Sequence, residues 1–167
     1  MITLVLGGTR SGKSEVAERL AAAAAGGGPV MYVATGRPVD ADMGDRIAAH
    51  RARRPAAWVT VEAGADLPDR LRAAAGTVLV DSLGTWLAGD GGLEPDVAGL
   101  CAALAARAED TVVVSEEVGL GVHPPTELGR RFADALGDLN RAVAETADRV
   151  LLVVAGRALA LDPAPEA

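Results

Sequence analysis

The chain has 167 residues and a formal net charge of −7, and half of its residues are apolar. This length predicts one domain, residues 1–167, with enough apolar side chains for an ordinary core. The acidic balance argues against a general nucleic-acid binder, which would usually be basic. The single cysteine, Cys101, excludes an internal disulfide and a cysteine-based metal cage.

The apolar segments are too short to cross a membrane, since no uncharged run reaches the length of about 18 residues that a helical span needs. The first apolar run, Ile2–Leu6, is a strand candidate with no basic segment before it. That pattern argues against a secretory signal peptide. We therefore expect a cytoplasmic protein.

Short runs of Val and Leu alternate with longer helical patterns along the chain. Strands are predicted at Ile2–Leu6, Val30–Ala34, Trp58–Glu62, Thr77–Asp81, Thr111–Ser115 and Val150–Val154, with an added edge strand at Ala158–Leu161. Helices are predicted at Lys13–Ala25, Asp40–Arg53, Ala65–Ala75, Pro95–Ala108 and Thr126–Thr146. Strands that are apolar throughout are typical of sheets covered on both faces. The alternation predicts an α/β fold in three layers around a mainly parallel sheet, with the edge strand as a candidate antiparallel addition.

A glycine-rich motif lies between the first predicted strand and the first predicted helix. Its residues are Gly7, Gly8, Thr9, Arg10, Ser11, Gly12, Lys13 and Ser14. They match G-x-x-x-x-G-K-[ST], the pattern of a phosphate-binding loop, or P-loop. Backbone N–H groups and the positive end of the helix dipole would face phosphate oxygens, with Lys13 on the β- and γ-phosphates and Ser14 on Mg²⁺. The motif predicts a P-loop NTPase-like fold, and the alternative is a chance glycine-rich turn.

Lys13 is the only lysine of the chain, which otherwise carries 15 arginines. A sequence so biased towards arginine is expected to replace lysine wherever any cation suffices. A planar guanidinium does not fit easily into a narrow loop that a compact ammonium can enter. The retained lysine therefore favours a phosphate-binding role for the loop.

A P-loop also needs a carboxylate that organises the metal ion at the end of another strand. Asp81 closes the apolar run at residues 78–80 and is the leading candidate. Glu116 and Glu117 follow the run at residues 112–115 and are the alternatives. Any of these carboxylates could instead cap a neighbouring helix or loop.

The stretch DRIAAHRARRP, residues 45–55, places a histidine among four arginines. On a helix, Arg46, His50 and Arg53 or Arg54 share a face. Such a cluster in an acidic protein fits an anionic partner, and a neutral imidazole can act as a covalent nucleophile. The alternative is a solvated basic helix with an incidental histidine, and the residues alone leave both interpretations open.

Several motifs in order resemble one family, the bifunctional adenosylcobinamide kinase / adenosylcobinamide-phosphate guanylyltransferases of cobalamin biosynthesis. They are GGTRSGKS, YVATG, RIAAHRARRP, VLVDSLGTWL, VSEEVGLGVHP, LGRRFADALGDLN and ADRVLLVVAG, which together span nearly the whole chain. The resemblance implies that the chain phosphorylates adenosylcobinamide with ATP or GTP. It further implies that GMP passes from GTP through a histidine adduct to adenosylcobinamide phosphate. It also implies a homotrimer.

The resemblance assigns roles to individual residues as well. His50 occupies the position of the histidine that becomes attached to GMP. Nucleotide contacts beyond the P-loop map onto Val33, Ala34, Thr35, Arg51, Ala52, Arg53, Arg54, Glu62 and Asp81. The Mg²⁺ ligands expected from the P-loop motif and the strand end remain Ser14 and Asp81.

Three residues depart from the family pattern. Ser82 stands where cysteine is common, Glu116 where asparagine is usual, and His123 where an aliphatic residue precedes proline. The last two belong to one loop, which puts the handling of the corrinoid in question. The alternatives to the bifunctional enzyme are a P-loop small-molecule kinase without guanylyl transfer and a nucleotide-gated binding or switch module.

Overall fold

The computed structural model describes residues 1–36 and 54–164, which form one seven-stranded sheet in the order β3-β2-β4-β5-β1-β6-β7. The strands are β1 (Ile2–Gly7), β2 (Val30–Ala34), β3 (Val59–Glu62), β4 (Thr77–Asp81), β5 (Thr111–Glu116), β6 (Arg149–Val154) and β7 (Arg157–Leu161). Among these residues, the helices are α1 (Lys13–Ala24), α2 (Leu67–Ala73), α3 (Leu83–Gly89), α4 (Val97–Ala105) and α5 (Glu127–Thr146). The helix predicted at Asp40–Arg53 lies outside the described residues.

The core consists of two apolar clusters on opposite faces of the sheet. Because successive strand residues point to opposite faces, Leu4 of β1 belongs to the larger cluster and Val5 to the smaller one. Val16 and Ala21 of α1 pack into the smaller cluster, and α2 to α5 contribute to the larger one. The predicted three-layer arrangement is confirmed.

Every strand pair is parallel except β6–β7, which is antiparallel. The turn between these two strands contains Ala155 and Gly156, with φ angles of 51° and 73°. Positive φ angles at both central residues are typical of a tight hairpin turn that suits the twist of antiparallel strands. The predicted antiparallel edge strand is therefore confirmed, and it begins one residue earlier than expected, at Arg157.

Helix α3 is the element that the sequence did not predict. It begins after Ser82, whose Oγ accepts a hydrogen bond from the Thr85 N–H at 3.4 Å while Thr85 Oγ1 accepts one from the Ser82 N–H at 3.2 Å. This reciprocal cap starts a helix of seven residues that contains Gly84. Such a short, glycine-containing helix gives a weak periodic pattern.

Arg107 closes the gap between α2, α4 and β5. Its Nε donates to Thr111 Oγ1 at 2.7 Å, and its Nη1 donates to the carbonyl oxygens of Leu71 and Ala74 at 3.0 and 2.9 Å. Nη2 reaches the Gly76 carbonyl at 2.6 Å. One planar guanidinium thus binds three carbonyl groups at and just beyond the C-terminal end of α2, where helical partners run out.

We expect Arg107→Ala to lower the free energy of unfolding by about 2 kcal/mol, because several partly buried acceptors lose their donor together. Urea denaturation followed by circular dichroism measures the change. Arg141→Ala is the matched control, since Arg141 is exposed on α5 and its loss is expected to cost less than about 0.5 kcal/mol. Equal effects of the two substitutions would contradict this role.

Candidate functional site

The loop between β1 and α1 is shaped by two of its glycines. A Cβ atom at Gly7 would lie 2.5 Å from Ser11 Oγ and 2.9 Å from the Val153 carbonyl oxygen. Gly12 has a φ angle of 90°, and a Cβ there would lie 3.2 Å from the Cα of Gly156. These two positions, the first and sixth of the motif, therefore accept only glycine without rearrangement.

Internal hydrogen bonds hold the loop in a tight turn. The Ser11 N–H donates to the Gly8 carbonyl at 3.2 Å, and the Gly156 N–H of the β6–β7 turn donates to the Ser11 carbonyl at 2.7 Å. Gly12 offers no side chain as a cap for α1, so the positive end of this helix faces the loop without a capping carboxylate or hydroxyl from that residue. The arrangement suits an anion placed over the loop.

Lys13 lies over the same turn, with a side chain that is only 13% exposed. Its Nζ donates to the Gly8 carbonyl at 3.3 Å and lies 3.8 Å from Oε1 of Glu116. The ammonium is thus held at the mouth of the loop by a carbonyl and a carboxylate. This placement is consistent with the predicted role of Lys13 in contacting nucleotide phosphates. That role stays a prediction.

Asp81 lies at the carboxyl end of β4 and accepts a hydrogen bond from the Tyr32 hydroxyl at 2.7 Å. Burial raises the pKa of the Tyr32 phenol, and the negative charge of Asp81 raises it further. The phenol therefore stays protonated and can donate to the carboxylate throughout the physiological range. Tyr32 was not recognised from the sequence, although a tyrosine in an aliphatic strand signals that its hydroxyl needs a partner.

Arg54 packs against the ring face of the same tyrosine. Its guanidinium carbon lies 3.3 Å from the centre of the Tyr32 ring, which is a close cation–π contact. The side chain is only 7% exposed, donates to Thr60 Oγ1 at 3.1 Å and lies 4.0 Å from Glu18 of α1. These contacts connect Arg54 to α1 and, through Tyr32, to Asp81, while its predicted contact with a nucleotide stays untested.

The remaining predicted contacts of this region lie at the ends of β2 and β3. Val33 is fully buried, whereas Glu62 is exposed beside Ala34 in the pairing of the two strands. The Thr35 hydroxyl donates to the Ser82 carbonyl at 2.6 Å, and the Thr35 N–H donates to the Asp81 carbonyl at 3.2 Å. Both the hydroxyl and the amide N–H of Thr35 thus donate hydrogen bonds to backbone carbonyls of the protein.

The two glutamates offered as alternatives to Asp81 point in different directions. Glu117 accepts a hydrogen bond from the Gly119 N–H of its own loop at 2.7 Å. Glu116 instead accepts from Ser82 Oγ at 2.8 Å and lies beside Lys13. The sequence did not reveal this link between the end of β5 and the start of α3.

Comparison with known proteins identifies the family. Residues 3–161 match the model of the family described as cobinamide kinase / cobinamide phosphate guanyltransferase. The chain belongs to this family. It is 43% identical to the bifunctional adenosylcobalamin biosynthesis protein CobP of Pseudomonas aeruginosa, over 99% of both chains. It is 34% and 35% identical to the proteins named CobU of Escherichia coli and Salmonella typhimurium, over 93% of this chain and 97% of each relative.

A solved structure supports the fold. The flagellar accessory protein FlaH of Methanocaldococcus jannaschii aligns with a TM-score of 0.53 at 15% identity, covering 94% of this chain and 74% of its own. At this identity the similarity concerns the fold alone.

Two of the residues that depart from the expected family pattern contact each other in the structure. Ser82 and Glu116, two of the three residues that depart from the pattern implied by the resemblance, are hydrogen-bonded to each other. His50, Arg51, Ala52 and Arg53 lie outside the described residues, so their roles remain those that the resemblance assigns. In the part of the chain that the structure describes, no helix is long and apolar enough to be a membrane span.

Tyr32 allows a direct test of the contact with Asp81, because it is the only tyrosine of the chain. We expect tyrosinate absorbance in the folded protein to appear well above pH 10, the usual pKa of tyrosine. The raised pKa means that the folded state holds its proton longer than the unfolded state. The resulting stabilisation is complete below about pH 10 and is lost as the pH rises above that value.

Absorbance at 295 nm, with circular dichroism as a check on folding, measures this titration. Asp81→Asn removes the neighbouring charge and is expected to lower the midpoint while leaving the tyrosine buried. A midpoint near pH 10 in the folded wild-type protein would show that Tyr32 is not buried against Asp81.

Proposed function

We propose that this chain is a single-domain enzyme that phosphorylates adenosylcobinamide and then converts the product to adenosylcobinamide-GDP. The family match over residues 3–161 carries this proposal, because it includes both the P-loop and His50. The geometry of the P-loop supports the phosphate-binding part, since the mouth of the loop presents a helix N-terminus and the Lys13 ammonium. The enzyme acts on small molecules and not on nucleic acid.

In the kinase half-reaction, ATP or GTP binds with its phosphates over the P-loop. The hydroxyl of the aminopropanol arm attacks the γ-phosphorus, and the nucleoside diphosphate leaves. Lys13 and the N-terminal end of α1 stabilise the negative charge that spreads over the transferring phosphoryl group. Enclosure of the phosphates by the loop also positions the γ-phosphorus for in-line attack.

A magnesium ion fits the donors at this end of the sheet. Ser14 in the first turn of α1 offers a hydroxyl and Asp81 a carboxylate, which are oxygen donors of the kind that Mg²⁺ binds together with substrate phosphates. The bound ion would neutralise phosphate charge. The hydrogen bond from Tyr32 orients the Asp81 carboxylate for this role.

In the guanylyl half-reaction, His50 attacks the α-phosphorus of GTP and pyrophosphate leaves. A phosphate oxygen of adenosylcobinamide phosphate then attacks the phosphorus of the histidine adduct, and the imidazole leaves. Arg51, Arg53 and Arg54 supply positive charge close to His50 in the sequence, which suits a reaction between anions. We further propose that the enzyme is a cytoplasmic homotrimer.

The histidine adduct provides the decisive test. Incubation with α-labelled GTP is expected to leave label on the protein, whereas γ-labelled GTP leaves none. The adduct should withstand alkali and break down in acid, because a protonated imidazole is a good leaving group. His50→Ala should lose the label and guanylyl transfer, and it should keep kinase activity because that step needs no covalent intermediate.

His123→Ala is the matched control, since His123 is the only other histidine and lies exposed in the loop after β5. This variant should still be labelled. Guanylyl transfer at the wild-type rate by His50→Ala would refute the mechanism. Kinase activity without any label on the wild-type protein would instead indicate a small-molecule kinase, and nucleotide binding without either activity would indicate a switch module.

A further inference from the structure

Glu116 occupies a central position at the edge of the sheet where the phosphates are expected. It ends β5, which lies between β4, the strand of Asp81, and β1, the strand that leads into the P-loop. Glu116 pairs with Gly7 in the register of β5 and β1. Because carboxyl ends of parallel strands meet at one edge, its side chain stands between the proposed metal carboxylate and the loop.

The backbone at this position is held from two sides. The Glu117 N–H donates to the Gly7 carbonyl at 3.1 Å. Nδ2 of Asn140, a buried residue of α5, donates to the Glu116 carbonyl at 3.0 Å. The end of β5 is therefore fixed both to the P-loop and to the helix layer.

The carboxylate itself is fixed by two donors. Ser82 Oγ donates to Oε1 at 2.8 Å, and the Gly84 N–H donates to Oε2 at 3.0 Å. A Cβ atom at Gly84 would overlap this carboxylate, so the glycine leaves the room that the carboxylate occupies. The reciprocal cap of Ser82 and Thr85 leaves the Gly84 N–H to Oε2, while Oε1 is the oxygen nearer to Lys13.

The oriented carboxylate remains accessible. Its side chain is 28% exposed, and Oε1 lies 3.8 Å from the Nζ of Lys13. A group that reacts with a phosphate bound by Lys13 would therefore come close to Oε1. A carboxylate at this position accepts both hydrogen bonds and can also take up a proton, whereas an amide side chain offers one acceptor oxygen and cannot be protonated there.

We propose that Glu116 is the general base of the kinase half-reaction in this chain. The proposal rests on the function proposed above. As the aminopropanol oxygen forms its bond to the γ-phosphorus, the O–H bond breaks and the proton passes to the Glu116 carboxylate. The bond from the γ-phosphorus to the bridging oxygen breaks at the same time, and its electron pair leaves with the nucleoside diphosphate.

Glu116→Gln tests this role, because the amide oxygen can still accept a hydrogen bond from Ser82 or Gly84. We expect kcat of the kinase step to fall roughly 100-fold, within the usual range for loss of a general base. The KM for adenosylcobinamide, GTP affinity and labelling by α-labelled GTP should change by less than about twofold. Glu127→Gln, an exposed glutamate in the first turn of α5, is the matched control and should leave all four quantities unchanged.

Each outcome separates this role from another. A kinase kcat within about threefold of wild type would overturn the proposal while leaving the bifunctional assignment intact. Recovery of kcat at high Mg²⁺ would overturn it too, because Glu116 would then be holding the metal ion. If the glutamine variant does not fold, Glu116→Ala provides a second side chain without a carboxylate, with the same expected loss. Absence of both kinase activity and label in the wild-type protein would refute the proposed function itself.

Discussion

Parallel pairing of β1 with both β5 and β6 is the constraint on which the candidate site depends. All six residues of β1 are buried, so the strand cannot shift along its neighbours without moving its apolar side chains out of the core. Its last residue, Gly7, is where the chain must turn into α1. Residues at the ends of the two neighbouring strands hold that turn in place. Gly156, which follows β6, donates to the Ser11 carbonyl, and Glu116, which ends β5, lies beside Lys13.

The polar groups at this edge form two connected sets. In one, Tyr32 joins Arg54 to Asp81 through its ring face and its hydroxyl. In the other, Glu116 joins the start of α3 to Lys13. Arg54 thus contacts the same tyrosine that donates to the proposed metal carboxylate.

The fold was largely predictable because strands that are apolar throughout and the strand–P-loop–helix pattern are local signals. The mainly parallel pairing followed the expectation, and the edge strand is antiparallel because its short turn has two positive φ angles. Helix α3 escaped prediction because it is short and contains glycine. The contacts of Tyr32 with Asp81 and of Ser82 with Glu116 also escaped it, since they join residues 49 and 34 positions apart that only the folded sheet brings together.

Protection of Lys13 by nucleotide tests the central claim most directly, namely that the phosphates bind at this loop. An amine-selective reagent has two targets in the chain, the Lys13 side chain and the α-amino group of Met1, which lies beside Asp110 and serves as an internal control. Peptide mass spectrometry after brief modification reads both sites. The account predicts that GTP with Mg²⁺ slows modification of Lys13 at least tenfold, as about 1.4 kcal/mol of protection would, and leaves Met1 unchanged. Equal rates at Lys13 with and without saturating nucleotide would contradict it.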